Sequence, residues 1–322
     1  MRRITSAAVA LATVVAATPA LAFNQKSYVS SSGNDSNSCA GVFNACATLQ
    51  AAHDKTAPGG DIGVLDPGNY GRLIINRAIN ITNDGVGTAS ILVPLGSNGI
   101  TITAGAGDIV SLRGLVIDGQ GVGATGIQVN QANAVHIQNC VIRNFEANGG
   151  GIGVLLFPAI ATKMFISDTI IFNNGSTAAS GGILVKPFNA GTASVVLDRV
   201  HLENNVVGLR VDGTFATGDG SHVVIRDSVV SGNAADGVLA VTTAGHAPSF
   251  VVVERTTSVS NAGTGIRADG AGATMLLSAD LVARNSTGIS AVNGGQLISY
   301  GNNKFNNNLG PDGTPTGSYS PI

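Results

Sequence analysis

A short phrase recurs along the chain: an apolar run ends at one or two asparagines, a brief turn follows, and a glycine opens a new apolar run. It reads "HLENNVVGLRVDG" at residues 201–213, and similar phrases stand before and after it. Counted on the opening glycine, successive units are 23 to 31 residues apart, with a mean of 27. A repeat of this length predicts a solenoid whose stacked units share one core. The opening glycines are Gly99, Gly126, Gly151, Gly182, Gly208, Gly237, Gly265 and Gly288.

Each unit contains short runs with alternating apolar residues, such as "GIQVN", "VHIQNCVI" and "HVVIRDSVV", which are typical of half-buried strands. Two or three such strands, joined by turns, make one coil of a parallel β-helix, in which each strand pairs with its counterpart about 4.8 Å away in the next coil. The 44 glycines, the absence of Trp and a charged fraction of only 11% agree with a narrow core of small side chains. We therefore expect one elongated all-β domain of roughly ten coils.

The recurring asparagines are interpreted as turn residues, because Asn tolerates left-handed backbone geometry. The same amide repeated in successive coils is also able to form a hydrogen-bonded ladder. The predicted row consists of Asn144, Asn173, Asn204, Asn233, Asn261 and Asn285.

The first 22 residues resemble a secretory signal peptide, with Arg2 and Arg3, an apolar centre and an Ala-Leu-Ala exit. The pattern leaves open whether export uses the general or the twin-arginine route. A periplasmic or secreted location is therefore expected, and no later segment is long and apolar enough to span a membrane.

The mature chain divides into three predicted parts. Residues 23–60 form an N-terminal cap module, whose helix near Leu49 stops before Pro58. Residues 61–308 form the coils, and residues 309–322 have the composition of a flexible tail. The cap is expected because an uncovered β-helix end is an open strand edge.

Three cysteines are present, and export makes a disulfide possible. Cys39 and Cys46 lie close together in an irregular loop and are expected to be bridged. Cys140 occupies the place of Thr169 and Ser228 in neighbouring coils, so it is interpreted as a small buried packing residue.

The N-terminal segment before the coils contains "YVSSSGNDSNSC" and "ATLQAAHDKTAPGGDIGVLDPGNY". In this segment and in the coils, the chain resembles right-handed parallel β-helix proteins of the pectate-lyase-like superfamily. The resemblance implies a right-handed helix. It also implies a polysaccharide ligand or substrate, since the superfamily includes polysaccharide lyases, glycoside hydrolases, uronan epimerases and non-catalytic surface proteins. The hydrolase signatures NTD, DD, GHG and RIK are missing, and the whole chain has three Glu. An enzyme of this kind would thus be a lyase or an epimerase.

Registering the coils on their opening glycines places two rows of side chains on the outside of one sheet. The first row contains the residue two positions after each opening glycine (+2). Its members are Gln128, Gly153, Leu184, Arg210, Leu239, Arg267 and Ser290. The second row contains the residue four positions after each opening glycine (+4). Its members are Asn130, Leu155, Lys186, Asp212, Val241, Asp269 and Val292. Lys186 and Asp212 are then neighbours, with Arg210 beside them.

This face carries the candidate site, because Arg and Lys bind the carboxylates of a polyuronate. Arg210 and Lys186 are the candidate proton acceptors of a lyase or epimerase. The remaining polar members, Asp212, Arg267, Asp269, Gln128 and Asn130, are candidate ligand-binding residues. The alternative is a surface salt-bridge ladder. If the pairs are exposed, replacing Arg210 and Lys186 by Ala weakens glycan binding with little loss of stability.

Phe157, Phe188 and Phe215 follow their glycines by 6 or 7 residues and border the same sheet. They either stack on sugar rings or pack the longer loops. Calcium is possible, but Asp212 with the distant Asp269 gives fewer oxygen ligands than that ion prefers, so no cofactor or metal is predicted. A net charge of −2 without basic clusters argues against nucleic acid.

The sequence favours an exported protein that binds, or also modifies, an extracellular acidic polysaccharide or cell-surface glycan. The alternative is a non-catalytic structural or adhesin-like surface protein. The scarcity of acidic residues favours binding or structure over hydrolysis.

Overall fold

Three long parallel sheets run along the chain in the computed structural model, which describes residues 23–147 and 149–320. Each full turn of the chain contributes one strand to each sheet, and the additional strands of the two longer sheets lie at the ends. Every strand pairs in parallel with its counterpart one turn away. The result is a single-domain parallel β-solenoid of about nine turns. The predicted signal peptide lies outside the described residues.

Strands are numbered in chain order. The twelve-stranded sheet contains β1 (Asn24–Val29), β2 (Thr56–Val64), β5 (Ile79–Thr82), β8 (Ile109–Arg113), β11 (Ala134–Gln138), β14 (Ala161–Ser167), β17 (Thr192–Asp198), β20 (Ser221–Arg226), β23 (Ser249–Glu254), β26 (Ala273–Ser278), β29 (Gln296–Ser299) and β31 (Gly317–Ser318). The nine-stranded sheet contains β4 (Leu73–Ile75), β7 (Asn98–Thr103), β10 (Thr125–Gln131), β13 (Ile152–Leu156), β16 (Gly181–Val185), β19 (Val207–Asp212), β22 (Val238–Val241), β25 (Thr264–Asp269) and β28 (Thr287–Val292). The ten-stranded sheet contains β3 (Gly68–Asn69), β6 (Ala89–Leu92), β9 (Leu115–Asp118), β12 (Val141–Arg143), β15 (Ile170–Phe172), β18 (His201–Glu203), β21 (Val229–Ser231), β24 (Thr257–Val259), β27 (Leu281–Ala283) and β30 (Lys304–Phe305).

The core is a column of aliphatic side chains between the sheets. In each strand alternate residues point inward and are buried, as in β23, where Val251 and Val253 are buried and Val252 is half-buried on the outer face. This alternation is what the short apolar runs predict for strands with one buried face.

A glycine stack fixes the register of the nine-stranded sheet. A Cβ atom built on Gly126 or Gly208 would lie 2.5 or 2.6 Å from the glycine carbonyl oxygen of the next turn, which leaves no room for a side chain. The stacked residue in the fourth turn is Gly153, because Ile152 pairs with Thr125. The assignment to Gly151 is therefore wrong by two residues, which the run "GGGIG" at 149–153 made ambiguous.

The asparagines form two adjacent rows, where the sequence predicts one. Asn144, Asn173 and Asn204 adopt left-handed geometry with φ of 59°, 55° and 53°. The residue after Asn144 is the buried Phe145, whose N–H donates to the Oδ1 of Asn174. From Asn174 onward the residue at this position is an asparagine of the amide ladder, in which the Nδ2 of Asn233 donates to the Oδ1 of Asn261 at 2.7 Å. The ladder residues are Asn174, Asn205, Asn233, Asn261, Asn285 and Asn308.

One short α-helix, α1 (Leu49–Lys55), precedes the coils, and Val42–Asn44 form a 3₁₀ turn. The hydroxyl of Thr48 accepts a hydrogen bond from the N–H of Ala51 and caps α1. The helix ends at Lys55, whereas Pro58 already belongs to β2, so the predicted boundary at residue 60 falls inside a strand.

The Cys39–Cys46 disulfide is present, and its loop lies against the free edge of β1. The N–H of Tyr28 donates to the carbonyl of Cys39, and the N–H of Cys46 donates to the carbonyl of Tyr28, both at 2.9 Å. Cys140 is a free, buried thiol whose pKa burial raises to about 11, in agreement with a packing role.

The last segment, residues 309–320, lies against the final turn. The N–H groups of Gly288 and Ile289 donate to the carbonyls of Pro311 and Asp312, and β31 pairs with β29. The flexibility of this segment stays a prediction. Across the described part of the chain, no helix has the length and apolar character that crossing a membrane requires.

Candidate functional site

The outer face of the nine-stranded sheet carries the predicted site. Pairing of Leu184 with Arg210, and of Leu239 with Arg267, places these +2 residues in one row, as predicted. The corrected register changes one turn: Leu155, and not Gly153, occupies the +2 row, since it pairs with both Gln128 and Leu184.

An ion pair occupies the centre of this face. The Nε and Nη2 of Arg210 donate to the Oδ2 of Asp212 at 3.1 and 2.9 Å, and the hydroxyl and N–H of Thr214 donate to the other carboxylate oxygen. Burial raises the pKa of Asp212, but the hydrogen bonds from Thr214 and the charge of Arg210 outweigh it and hold that pKa below the usual value. Asp212 therefore stays ionised at neutral pH.

This pair is not exposed, because the side chains of Arg210 and Asp212 are only 21% and 4% accessible. The sequence-based expectation that removing Arg210 leaves stability almost unchanged assumed an exposed pair, and that assumption is wrong. Truncating Arg210 would leave a buried carboxylate without its cation, at a cost of about 1–3 kcal/mol.

Lys186 lies one turn away from Asp212 but contacts an aromatic ring. Its Nζ is 3.9 Å from the ring centroid of Phe215, a cation–π geometry. Phe215 is 57% exposed, so the ring also faces solvent. A cation and an aromatic face are thus presented together at the edge of the sheet.

Phe157 and Phe188 stack on each other, with centroids 4.5 Å apart and ring planes 16° apart. In the corrected register Phe157 takes the +4 position that the sequence assigned to Leu155, which places it directly beside Lys186. Asn189 bridges to Ala216, so Phe215 comes from the neighbouring loop. The three predicted phenylalanines therefore form one border of the sheet.

Arg267 and Asp269 repeat the arrangement of Arg210 and Asp212 two turns further along. The Nη2 of Arg267 donates to the Oδ2 of Asp269 at 2.7 Å, and its Nη1 lies 3.6 Å from Asp236. The intervening turn carries Leu239, so this second pair does not contact the first one.

Gln128 and Asn130 occupy the same two rows near the start of the sheet. The Nε2 of Gln128 donates to the Oδ1 of Asn130 at 2.8 Å, and Asn98 donates to Gln128. The structure therefore places Lys186, Arg210 and Asp212 together, and leaves the Gln128 and Arg267 pairs as separate groups along the same face.

Four partners in these networks are not evident from the +2 and +4 rows alone. Thr214 and Asn293 donate to the aspartates, Asp236 lies 3.6 Å from Arg267 as an ion-pair partner, and Asn98 donates to Gln128. Their positions follow from the exact length of each turn, which varies between coils. For Asn98 the available signal is its place beside Gly99, one turn before Gln128.

The arrangement suits ligand contacts better than metal binding. Both oxygens of Asp212 already accept hydrogen bonds from Arg210 and Thr214. Within residues 23–147 and 149–320, no group of three or more His, Cys, Asp or Glu side chains is placed to hold a metal ion.

Comparison with known proteins agrees with the fold. The family model for the right-handed β-helix region matches residues 98–309. The crystal structure of pectate lyase Pel9A superimposes with a TM-score of 0.51 at 14% identity, covering 86% of this chain and 75% of that one. A rhamnogalacturonan lyase gives 0.48 at 14% identity, covering 85% and 75%. An alginate lyase from Paenibacillus sp. str. FPU-7 gives 0.45 at 14% identity, covering 91% and 97%.

No curated protein matches the sequence significantly. At 14% identity the likeness to solved structures concerns the fold. The family model covers most of the coils, and the three parallel sheets are those of a β-solenoid. The chain therefore belongs to the right-handed β-helix family, and its architecture is pectate-lyase-like.

Proposed function

We propose that this protein binds an acidic polysaccharide along the outer face of the nine-stranded sheet. The observation that carries the proposal is the placement of the Lys186 ammonium over the exposed ring of Phe215, next to the Arg210–Asp212 pair. Aromatic faces pack against the C–H faces of sugar rings, and cations pair with uronate carboxylates.

Lys186 supplies the charge for this interaction. Among the described residues, no carboxylate lies within 4.0 Å of its Nζ, whereas the guanidinium groups of Arg210 and Arg267 are both paired. A uronate carboxylate would therefore meet Lys186 without first breaking an ion pair. Arg210 would contribute through its remaining N–H donors.

Binding without bond cleavage agrees best with the ion pair that Arg210 forms. An arginine accepts a proton only when its side chain is neutral, whereas here the Nη2 of Arg210 lies 2.9 Å from the Oδ2 of Asp212 as the cation of an ion pair. Arg210 and Lys186 as catalytic bases of a lyase or epimerase stay a prediction, and Asp212 as a calcium ligand would have to give up its bonds to Thr214 and Arg210.

Isothermal titration with hexagalacturonate and a mannuronate hexamer tests the proposal. We expect Lys186→Ala to weaken binding about tenfold, equivalent to about 1.4 kcal/mol, because it removes the unpaired cation. Lys163, an exposed lysine on β14 of the twelve-stranded sheet, provides the matched control, and Lys163→Ala should bind as the parent does. Equal affinities of the two variants would mean that the ligand does not bind at this face, and would contradict the proposal.

The second candidate function is a structural or adhesin-like surface protein. The paired arginines favour it, since Arg210 and Arg267 are satisfied within the sheet and need no ligand. Failure of the parent to bind either uronate hexamer at millimolar concentration would support this function.

We also propose that the protein works outside the cytoplasm and that α1 caps the first turn together with the disulfide loop. The Cys39–Cys46 bond is compatible with export to an oxidising compartment. Gln50 of α1 accepts a hydrogen bond from the N–H of Ile74 on β4, the outermost strand of its sheet, at 2.8 Å. Covering such an edge prevents pairing with another chain.

A further inference from the structure

A trough crosses the N-terminal end of the twelve-stranded sheet, on its outer face and away from the nine-stranded sheet. Its volume is about 390 Å³. Strand β2 forms the floor, β1 forms one wall, and β5 with the loop after it forms the other. The side chains that matter most for recognition are those of Lys26, Tyr28, Asp61, Thr82, Asp84 and Val86.

Gly63 keeps the floor of this trough open. It lies on β2, paired with Tyr28 on β1, at a half-exposed position between the buried Ile62 and Val64. Its backbone is outside the left-handed region, and an added Cβ would make only ordinary contacts, 3.5 Å from the Tyr28 ring and 3.9 Å from Lys26.

The fold therefore does not require glycine at this position. Glycine inside a strand costs about 0.5–1 kcal/mol relative to alanine through lost chain entropy. In a strand it often marks close approach of a ligand or another backbone, and here the atoms nearest the Cβ position belong to side chains. The position without a side chain leaves room for a ligand on the floor, beside the Tyr28 ring.

The polar groups around Gly63 include both donors and acceptors. The Oδ1 of Asp61 accepts from the Nδ2 of Asn80 at 3.0 Å, while Asp61 itself is exposed. Asp84 is paired with Arg113 at 3.0 Å and has 58% of its side chain exposed. The Nζ of Lys26 lies 5.4 Å from the centroid of the Tyr28 ring.

We propose that this trough binds one ring of a neutral saccharide. Tyr28 offers a surface for the apolar C–H face of the ring, Asp61 and Asp84 accept hydrogen bonds from its hydroxyl groups, and Lys26 donates one. The charges of Asp61 and Asp84 are balanced by Lys26 and by Arg113, which is paired with Asp84, so the trough has no net positive charge to attract a uronate. It therefore suits a neutral ring better than the acidic ligand proposed for Lys186 on the other sheet, and the two sites are independent.

Titration with cellohexaose, mannohexaose and β-1,4-galactohexaose tests the inference. We expect one of them to bind the parent, and Gly63→Leu to lower its affinity at least tenfold by filling the floor. Asp61→Asn, which preserves shape, should lower it several-fold. Ser194→Leu adds similar bulk at an exposed position on β17 and should leave affinity unchanged.

The same variants separate this site from the proposed function. Gly63→Leu should bind hexagalacturonate as the parent does, and Lys186→Ala should bind the neutral probe as the parent does. The inference is overturned if none of the three neutral hexamers binds at millimolar concentration, or if a folded Gly63→Leu variant binds with parental affinity. Loss of neutral binding in Lys186→Ala would also overturn it, because the ligand would then lie on the nine-stranded sheet.

Discussion

Asp280 is a buried carboxylate in a row of small side chains. It is 1% exposed and accepts hydrogen bonds from the N–H groups of Thr256 at 2.9 Å and Ser278 at 3.1 Å. Desolvation dominates over these bonds and raises its pKa to about 8. The equivalent residue of the next turn is Asn303, whose Oδ1 accepts from the N–H of Asp280 in the same manner.

This residue makes stability depend on pH. The folded state keeps a proton that the unfolded chain releases above pH 4, so the stabilisation is full below that pH and is lost as pH rises towards 8. The loss is about 1.4 kcal/mol per pH unit in that window. Urea unfolding at pH 5 and pH 8 should show a smaller loss of stability for Asp280→Asn than for the parent. Parallel losses in the two proteins would contradict a neutral Asp280.

Cysteine and small residues at this position in other turns were predictable as packing residues, and Cys140 is buried as expected. The burial of Asp280 was not predictable. The turn that contains it, from Gly265 to Gly288, is shorter than the mean repeat, so Asp280 does not fall where counting from the opening glycines places this row. Residue roles that depend on the exact length of one turn do not follow from an averaged period.

The asparagine ladder stabilises the turn between the ten-stranded and nine-stranded sheets. The Oδ1 of Asn205 accepts from both the N–H and the Nδ2 of Asn174, at 3.1 and 2.9 Å. Its own Nδ2 donates to the carbonyl of Ile171 at 3.0 Å. One buried amide thus satisfies groups in the turn before it.

Replacing Asn205 by Ala should lower the free energy of unfolding by about 2–4 kcal/mol, since it leaves the N–H of Asn174 buried and unpaired. The neighbouring residue gives the control: Asn204 is exposed with φ of 53°, and glycine adopts that geometry without strain. Asn204→Gly should change stability by less than about 1 kcal/mol in the same urea titration. Equal effects of the two substitutions would refute the division into two rows.

Both asparagine rows are visible in the sequence, yet their separation is not. The pairs "NN" at 173–174, 204–205 and 307–308 contain one member of each row, whereas the three turns between the second and third pairs keep only the ladder asparagine. Gly232 and Ser260 take the left-handed position there, with φ of 65° and 58°. Residue type alone does not distinguish an exposed turn residue from a buried one beside it.

The fold as a whole was predictable because the repeat is local and each turn repeats the same inward alternation. The sheets and the outward position of Lys186 and Arg210 follow from this repeat. The disulfide was predicted separately, from export and from the short spacing of Cys39 and Cys46. The burial of the Arg210–Asp212 pair could not be predicted from the repeat, because it depends on Thr214 and the loop that follows.

The disulfide loop should contribute to the stability of the N-terminal end. Closing a loop of this size is worth about 2–3 kcal/mol in the chain-entropy model, and the loop also pairs with the edge of β1. Cys39→Ser with Cys46→Ser should therefore lower the unfolding midpoint and promote association through the uncovered edge, measured by urea titration and light scattering. An unchanged midpoint with a monodisperse variant would exclude a capping role.

The central claim is that an acidic glycan lies along the outer face of the nine-stranded sheet, between Lys186 and the phenylalanine border. Hydrogen–deuterium exchange with and without saturating hexagalacturonate tests this directly. We expect slower exchange in the loop segments 186–190 and 213–217, which carry Lys186, Phe188 and Phe215. Strands of the twelve-stranded sheet should exchange at the same rate in both samples. Protection confined to other segments, or none at saturation, would contradict the claim.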